Sequence, residues 1–196
     1  MAEPRGERVA VFGGSFNPPH VAHVLAAVYA LSTAPIDRVL VVPVYRHPFA
    51  KELAPFDDRL EMCRLALGWV PGVEVSTVER ELGGESLTLR TLEHLAEAHP
   101  SWSMRLLVGA DVLPDLPKWH RFDRIAELAP PLVLGRAGFA PSGSGVEAGP
   151  TVLPEISSSE VRARIAAGRI GELGADVPRR VLEHIEQGGL YGARRG

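Results

Sequence analysis

The chain has 196 residues with 21 Lys or Arg and 24 Asp or Glu, which gives a formal net charge of −3. That length suits a single domain, residues 1–196, with a buried core, and the balanced charges offer no broad basic face for nucleic acid. The first eight residues mix acids and bases, unlike a secretory signal, and no apolar run is long enough to cross a membrane.

The single cysteine, Cys63, lies with Phe56, Leu60 and Leu67 on the apolar stripe of a predicted helix. A buried core thiol is therefore expected rather than a nucleophile. One cysteine cannot form an internal disulfide, which fits a reducing compartment. We therefore expect a cytoplasmic protein that binds neither nucleic acid nor membranes.

Apolar runs and amphipathic segments alternate from the start of the chain. Residues 9–12 form an apolar run rich in Val, which is typical of a buried strand. From His20 onward, apolar side chains recur at spacings of three and four, which predicts a helix. The predicted apolar stripe of this helix consists of Val21, Val24, Leu25, Val28 and Leu31.

The later segments repeat this alternation, which predicts an α/β fold with a doubly wound, mostly parallel sheet and ligands at the carboxyl ends of its strands. Residues 79–85 are expected to be a charged connection, and residues 137–150 a Gly-, Pro- and Ser-rich surface loop. Further strands are predicted at residues 37–43, 73–78, 104–108, 131–134 and 151–153. Further helices are predicted at residues 58–69, 88–98, 122–128, 160–167 and 178–187. The expected N-caps are Asp57, Ser86 or Thr88, and Ser157 or Ser158.

The first loop combines bare backbone with two histidines. Gly13 and Gly14 end the first strand, and the prolines that follow suit the first turn of a helix. A helix N-terminus offers N–H groups and a partial positive charge, so a phosphate can approach closely. His20 and His23 project from one helix face, where imidazoles can donate hydrogen bonds to phosphoryl oxygens. The alternatives are an ordinary glycine turn beside two surface histidines or, less well supported, a His-x-x-His metal pair.

A second helix start carries hydroxyl groups and an arginine. Ser157, Ser158 and Ser159 stand where the helix at residues 160–167 begins, and Arg162 follows one turn later. Exposed N–H groups, hydroxyls and a planar guanidinium together can bind a phosphate. Taken alone, these residues are more often a Ser-rich N-cap with a surface arginine.

Both stretches resemble the nucleotidyltransferase superfamily and, more narrowly, the bacterial nicotinate-nucleotide adenylyltransferases. Residues 13–23 resemble that family's first loop and His-x-Gly-His motif, with Ala22 in place of the glycine. Residues 156–162 resemble its Ile-Ser-Ser-Thr-x-Ile-Arg motif, with Ser159 in place of the threonine. The added methyl of Ala22 is expected to crowd a nucleotide ribose slightly, whereas Ser159 keeps the hydroxyl.

Three further segments resemble the same family. The sequence Ser-Leu-Thr-Leu-Arg-Thr is similar to its Ser-Tyr-Thr-x-x-Thr, with Leu87 for Tyr, and the resemblance places Thr88 near the pyridine carboxylate. The sequence Arg-Ala-Gly-Phe is similar to its Arg-Pro-Gly-Tyr/Phe, with Ala137 for Pro, which places Arg136 near the nucleotide. Tyr191 belongs to a family-like chain ending and is expected only to pack.

The resemblance also implies residues for the phosphate acceptor. Gly109 and Asp111 follow the fourth predicted strand, and the carboxylate would hold ribose hydroxyls of a mononucleotide; an Asp after a strand also suits a helix N-cap. Trp119 resembles the tryptophan that stacks on the pyridine ring. The loop at residues 45–55 departs from the family pattern, and Lys51 is its candidate phosphate contact, with a solvated loop lysine as the equal alternative.

The resemblance implies adenylyl transfer from ATP to nicotinate mononucleotide, which gives deamido-NAD and pyrophosphate. His20, His23 and Arg162 would be the catalytic residues, and Mg²⁺ would arrive with ATP because the motifs contain no protein metal site. The implied ATP-binding residues are Gly13, Gly14, Ser15, Phe16, His20, His23, Arg136, Ser157, Ser158, Ser159 and Arg162. The implied mononucleotide-binding residues are Ser15, Phe16, Lys51, Thr88, Gly109, Asp111 and Trp119.

Other functions stay open at this point. Within the superfamily, the acceptor could instead be nicotinamide mononucleotide or phosphopantetheine. A dinucleotide-dependent oxidoreductase is disfavoured, because the first loop lacks Gly-x-Gly-x-x-Gly and Pro43 stands where an acid would close the second strand. A nucleotide-binding module without catalysis would bind ATP without turnover.

Overall fold

The computed structural model describes residues 6–47, 52–136 and 148–194, in which no helix is both long and apolar enough to cross a bilayer. The strands are β1 (Arg8–Gly14), β2 (Arg38–Pro43), β3 (Val73–Val75), β4 (Ser103–Gly109), β5 (Pro131–Arg136) and β6 (Ala148–Leu153). The helices are α1 (Val21–Thr33), α2 (Phe56–Leu67), α3 (Val78–Leu82), α4 (Thr88–Ala98), α5 (Phe122–Leu128), α6 (Ser158–Ala166) and α7 (Arg179–Gly188). Short 3₁₀ helices lie at Ala110–Val112, Leu116–Lys118, Ile170–Leu173 and Leu190–Gly192.

The six strands form one sheet in the order β3-β2-β1-β4-β5-β6, and each neighbouring pair is parallel. Val11 in the central strand β1 pairs with Leu40 on one side and with Leu106 on the other. The predicted doubly wound, mostly parallel sheet is confirmed. The strand order reverses between β1 and β4, so a ligand crevice is expected at the carboxyl ends of these two strands.

Helices cover both faces of the sheet, because successive residues of each strand point to opposite sides. Val9 and Val11 belong to a buried apolar cluster with α3, α4 and α5. Ala10 and Phe12 belong to the opposite cluster, with α1, α2, α6 and α7. Burial on both faces explains why the strands are continuously apolar rather than alternating.

The largest difference from the predicted elements lies around residues 73–82. The third strand ends at Val75, three residues early, and the predicted charged connection contains the helix α3. Tertiary contacts explain this helix, since Val78 is buried in the apolar core and Glu79 is also buried. The Glu79 carboxylate accepts a hydrogen bond from the Tyr45 N–H (3.0 Å) and one from the Thr91 hydroxyl (3.2 Å).

Two of the expected N-caps are also wrong. The helix α2 begins two residues early, with Pro55 rather than Asp57 at its N-cap. The N-cap of α4 is Leu87. The hydroxyl expected there, that of Ser86, instead accepts hydrogen bonds from the N–H groups of Tyr45 and Arg46, so it anchors the preceding loop.

The buried face of α1 is not the predicted apolar stripe. Leu25 is 41% exposed, although the spacing of apolar residues placed it on the inner face. Small side chains occupy the inner face instead. Because they are small, α1 can pack closely against the sheet. The buried residues of α1 are Ala22, Ala26, Ala27 and Ala30.

Cys63 is a buried free thiol, as predicted, and its burial raises the pKa of the thiol. Because the thiolate is the reactive form, we expect no reaction with a maleimide in native buffer at pH 7 and complete labelling in denaturant. Mass spectrometry of the labelled protein measures both. Full labelling within minutes, with the circular dichroism unchanged, would show that the thiol is accessible in the native state.

Candidate active site

A cavity of about 1020 Å³ opens at the carboxyl ends of β1 and β4. It is lined by every predicted site residue whose side chain the structure describes. Lys51 lies outside the described residues, and Arg136 is described only by its backbone, at the end of β5. The predicted residues that line the cavity are Gly13, Gly14, Ser15, Phe16, His20, His23, Thr88, Gly109, Asp111, Trp119, Ser157, Ser158, Ser159 and Arg162.

The first loop places bare backbone against this cavity. A β-carbon at Gly14 would lie 3.2 Å from the ring of Phe16, which turns back over the strand end with a φ of 45°. A β-carbon at Gly13 would meet no atom within 4 Å, so glycine here leaves open space rather than relieving a clash. Backbone without side chains therefore forms this wall of the cavity, and a phosphate can come close to it.

The two predicted histidines lie side by side, with ring centroids 3.8 Å apart. The Nδ1 atom of His23 accepts a hydrogen bond from the backbone N–H of His20 at 3.1 Å. A neutral His23 therefore carries its proton on Nε2, where it can be donated to a ligand. The ring of Phe16 lies 5.0 Å from that of His23, so the imidazole is held by packing as well as by the hydrogen bond.

The N-terminus of α1 differs from the expected anion site. The N–H of Val21 donates to the Asp176 carbonyl at 2.8 Å, and the N–H of His20 is used by His23. These two N–H groups are therefore used within the protein, and the imidazoles of His20 and His23 are the side-chain donors at the start of α1. In the described part of the chain, the N–H groups of Ser158 and Ser159 in α6 have no protein acceptor.

The start of α6 packs directly onto the first loop. Ser157 is its N-cap, as predicted, and its hydroxyl accepts a hydrogen bond from the Glu160 N–H at 3.1 Å. The hydroxyl of Ser158 donates to the Pro18 carbonyl at 2.9 Å. The guanidinium of Arg162 donates to the Asn17 carbonyl at 2.8 Å, so the two predicted motifs, about 140 residues apart, form one site.

The other side of the cavity holds the residues predicted for the acceptor. A β-carbon at Gly109 would overlap the Asp111 carboxylate, so glycine at this strand end lets the carboxylate keep its place in the cavity wall. Trp119 is half-buried; it packs against the apolar cluster of α4 and α5 and also lines the cavity. Thr88 lines the cavity at the first turn of α4.

Comparison with known proteins assigns this arrangement to a family. A family model described as cytidylyltransferase-like matches residues 11–164. A relative from Anaeromyxobacter dehalogenans strain 2CP-C, named "probable nicotinate-nucleotide adenylyltransferase", is 51% identical over 189 residues, which cover 95% of this chain and 97% of the relative. The chain belongs to the nicotinate-nucleotide adenylyltransferase family. A relative of the same name from Myxococcus xanthus is 40% identical over 191 residues, which cover 96% of each chain.

A solved structure supports the same fold. Plasmodium falciparum nicotinic acid mononucleotide adenylyltransferase complexed with NaAD superimposes with a TM-score of 0.83 at 19% identity, over 97% of this chain and 100% of that one. At that identity the likeness concerns the fold, and it confirms the Rossmann-like nucleotidyltransferase architecture.

Three departures from the pattern of nicotinate-nucleotide adenylyltransferases line the cavity, whereas Ala137 lies outside the described residues. Ala22 is buried and lines the cavity, so its methyl occupies space that the family's glycine leaves open. Leu87 lines the cavity at the N-cap of α4, where the family has tyrosine. The hydroxyl of Ser159 lies 3.3 Å from Nη2 of Arg162 and accepts its hydrogen bond, so the loss of threonine's methyl keeps this contact.

Two residues that support the first loop were missed in the sequence. Arg59 in α2 is only 1% exposed and donates to the carbonyls of Ala54 (2.9 Å) and Ser15 (3.0 Å). Burial lowers the pKa of the Arg59 guanidinium. Asn17 is 2% exposed, and its Oδ1 accepts a hydrogen bond from the Ala54 N–H at 3.0 Å. Arg59 stands four residues before Cys63, so it lies on the same buried stripe of α2. This spacing is the sequence pattern that indicates its burial.

Replacing Arg59 by Lys should destabilise the protein, because one ammonium group cannot reach both carbonyls that Nε and Nη1 satisfy. We expect a loss of about 1–3 kcal/mol in the free energy of unfolding, measured by urea denaturation. The matched control is Arg64→Lys on the exposed face of the same helix, which should stay within about 0.5 kcal/mol of wild type. Equal stabilities for the two variants would contradict the support assigned to Arg59.

Proposed function

We propose that this chain transfers the adenylyl group of ATP to nicotinate mononucleotide, with release of pyrophosphate. The observation that carries this proposal is the convergence of His20, His23 and Arg162 on the bare first loop, in a chain that belongs to the nicotinate-nucleotide adenylyltransferase family. We further expect the protein to act in the cytoplasm, since a chain whose one cysteine is a buried free thiol needs no oxidising compartment.

The reaction is a displacement at the α-phosphorus of ATP. A phosphate oxygen of the mononucleotide forms the new bond to phosphorus, and the bond from phosphorus to the bridging oxygen of the β-phosphate breaks. No proton has to move for this step, so catalysis rests on positioning and on stabilisation of charge. In this proposal the Nε2–H of His23 and the adjacent His20 donate to the non-bridging oxygens, where the transition state gathers negative charge.

Pyrophosphate is assigned to the start of α6. The open N–H groups of Ser158 and Ser159 point out of a helix N-terminus, and Arg162 adds a fixed positive charge. Within the described part of the chain, Arg162 uses two of its five N–H donors, so the others can bind phosphate oxygens. These groups would hold the β- and γ-phosphates before and after the bond breaks.

The acceptor is assigned to the opposite wall of the cavity. There the Asp111 carboxylate would accept hydrogen bonds from ribose hydroxyls, and the face of Trp119 would stack on the pyridine ring. The hydroxyl of Thr88 and the N–H groups of the first turn of α4 would donate to the nicotinate carboxylate.

We expect Mg²⁺ to enter as the ATP complex and to neutralise phosphate charge. The described residues contain no group of three His, Cys, Asp or Glu that could hold a metal ion. Phosphates and water supply most ligands of Mg²⁺ at such sites, so the few carboxylates of this cavity fit that arrangement. Glu79 accepts hydrogen bonds from Tyr45 and Thr91, Asp115 pairs with Lys118, and Asp111 also lines the cavity.

Replacing His23 should impair turnover more than ATP binding. We expect His23→Ala to lower kcat by about two or more orders of magnitude, because a donor aimed at the transition state is lost. His23→Gln is the matched variant, since a glutamine at this position can still accept the His20 N–H and preserve the helix start. Pyrophosphate release and thermal unfolding are measured for both variants. A near-normal kcat in His23→Gln would show that turnover does not need the imidazole of His23.

The experiment that tests the acceptor compares kcat/KM for nicotinate and nicotinamide mononucleotides with ATP and Mg²⁺. We expect the nicotinate form to be preferred by roughly ten- to a hundredfold, because the amide places an NH₂ against donors that suit a carboxylate. Leu87 lines the cavity where the family has tyrosine, so we expect it to change the size of this preference for nicotinate. A ratio near one, or in favour of the amide, would leave adenylyl transfer in place and reject the nicotinate assignment.

A further inference from the structure

Tyr191 occupies an unusual place after the last helix. It lies in the short 3₁₀ segment Leu190–Gly192, and its backbone adopts a φ of 56°, a left-handed conformation that is rare for an aromatic residue. The side chain packs against the apolar cluster of α1, α2, α6 and α7. Such a conformation persists only where the surrounding structure holds it. The packing around Tyr191 therefore fixes the direction of its side chain.

The hydroxyl of Tyr191 reaches the first loop of the cavity. It donates to Oδ1 of Asn17 at 2.8 Å, across 174 positions of the sequence. The same oxygen accepts the Ala54 N–H at 3.0 Å. An amide oxygen has two lone pairs, so these two donors saturate it and fix the orientation of the buried Asn17 side chain.

Asn17 in turn orients Arg162 through its backbone. Its carbonyl accepts the hydrogen bond from Nη1 of Arg162 at 2.8 Å, while Nη2 lies 3.3 Å from the Ser159 hydroxyl. The planar guanidinium is therefore held at two points, both of them neutral oxygens. In the described part of the chain Arg162 has no carboxylate partner, so its full positive charge remains available to an anion in the cavity.

The electrostatic surroundings agree with this geometry. Burial raises the pKa of the Tyr191 hydroxyl, so this group stays protonated and remains a donor at physiological pH. The positive charges of Arg162 and Arg59 act in the opposite direction on the same pKa, but burial is the larger effect. A neutral donor holds the loop here without cancelling the charge of Arg162.

We propose that Tyr191 is a positioning residue, which acts through Asn17 to aim the guanidinium of Arg162 at the phosphates that leave as pyrophosphate. This inference rests on the proposed function, since it takes the phosphate role of Arg162 from there. It contradicts the expectation that Tyr191 only packs, because packing requires the ring and not the hydroxyl. Tyr191→Phe removes the hydroxyl alone, so it separates the two roles.

The test measures pyrophosphate binding by calorimetry and the KM values for ATP and the mononucleotide. In Tyr191→Phe we expect the Kd for pyrophosphate and the KM for ATP to rise about five- to tenfold, the effect of one lost hydrogen bond, with the KM for the mononucleotide unchanged. The matched control is Tyr29→Phe, which removes a hydroxyl from another tyrosine packed on the same cluster but outside the cavity. It should leave all three constants unchanged.

A double-mutant cycle separates positioning from general stability. If Tyr191 acts through Arg162, Tyr191→Phe should have no further effect on pyrophosphate binding in an Arg162→Lys background. Additive effects, or a wild-type Kd in Tyr191→Phe, would overturn the proposal. Because pyrophosphate binding needs no turnover, this result stands apart from the acceptor assay. A wild-type chain that binds pyrophosphate but shows no adenylyl transfer would reject the proposed function and not the role of Tyr191.

Discussion

The site depends on a loop, residues 13–18, that must be both bare and fixed. Bare backbone is needed for phosphates to approach, yet backbone without side chains makes few contacts of its own. The loop is therefore held from outside, by side chains that donate to its oxygens. Arg59 reaches it from α2, Ser158 and Arg162 from α6, and Tyr191 from the segment after α7. Four side chains, which come from three elements on the same face of the sheet, therefore hold the loop in place.

The hydrogen bonds that hold the loop also leave the guanidinium groups of Arg162 and Arg59 with their positive charge. A guanidinium held by a carboxylate loses most of its attraction for a second anion, whereas one held by carbonyls is oriented and stays charged. Arg162 is held by a backbone carbonyl and a hydroxyl, and Arg59 by two backbone carbonyls. Burial of Arg59 costs solvation free energy, which lowers the pKa of its guanidinium, and these carbonyls offset the cost only in part.

Much of this arrangement could be predicted from the sequence, because the signals were local. Continuous apolar strands alternating with helices predict a doubly wound sheet, and the carboxyl ends of its parallel strands bring the segments after β1 and β4 together. Elements stabilised by tertiary contacts could not be predicted in this way. The helix α3 depends on the burial of Val78 and Glu79, and the alanine face of α1 has no apolar periodicity of large side chains to reveal it. Likewise, no spacing rule links Tyr191 to Asn17, since only the folded chain brings them together.

The N-termini of α1 and α6 offer different kinds of hydrogen-bond donor to the site. The difference fits the role proposed for each helix. At α1 the N–H groups of His20 and Val21 bond within the protein, and the side-chain donors are imidazole rings that pack against each other and against Phe16. Rings fixed in this way can match one geometry, that of the charge that develops during bond exchange, and they need no reorganisation when it appears. At α6 the donors are N–H groups without an acceptor in the described part of the chain and the guanidinium of Arg162, which would suit the polyphosphate of the proposed reaction. In the proposed function, the contacts at α6 would hold the polyphosphate before, during and after the reaction, and the contacts at α1 would discriminate in favour of the transition state.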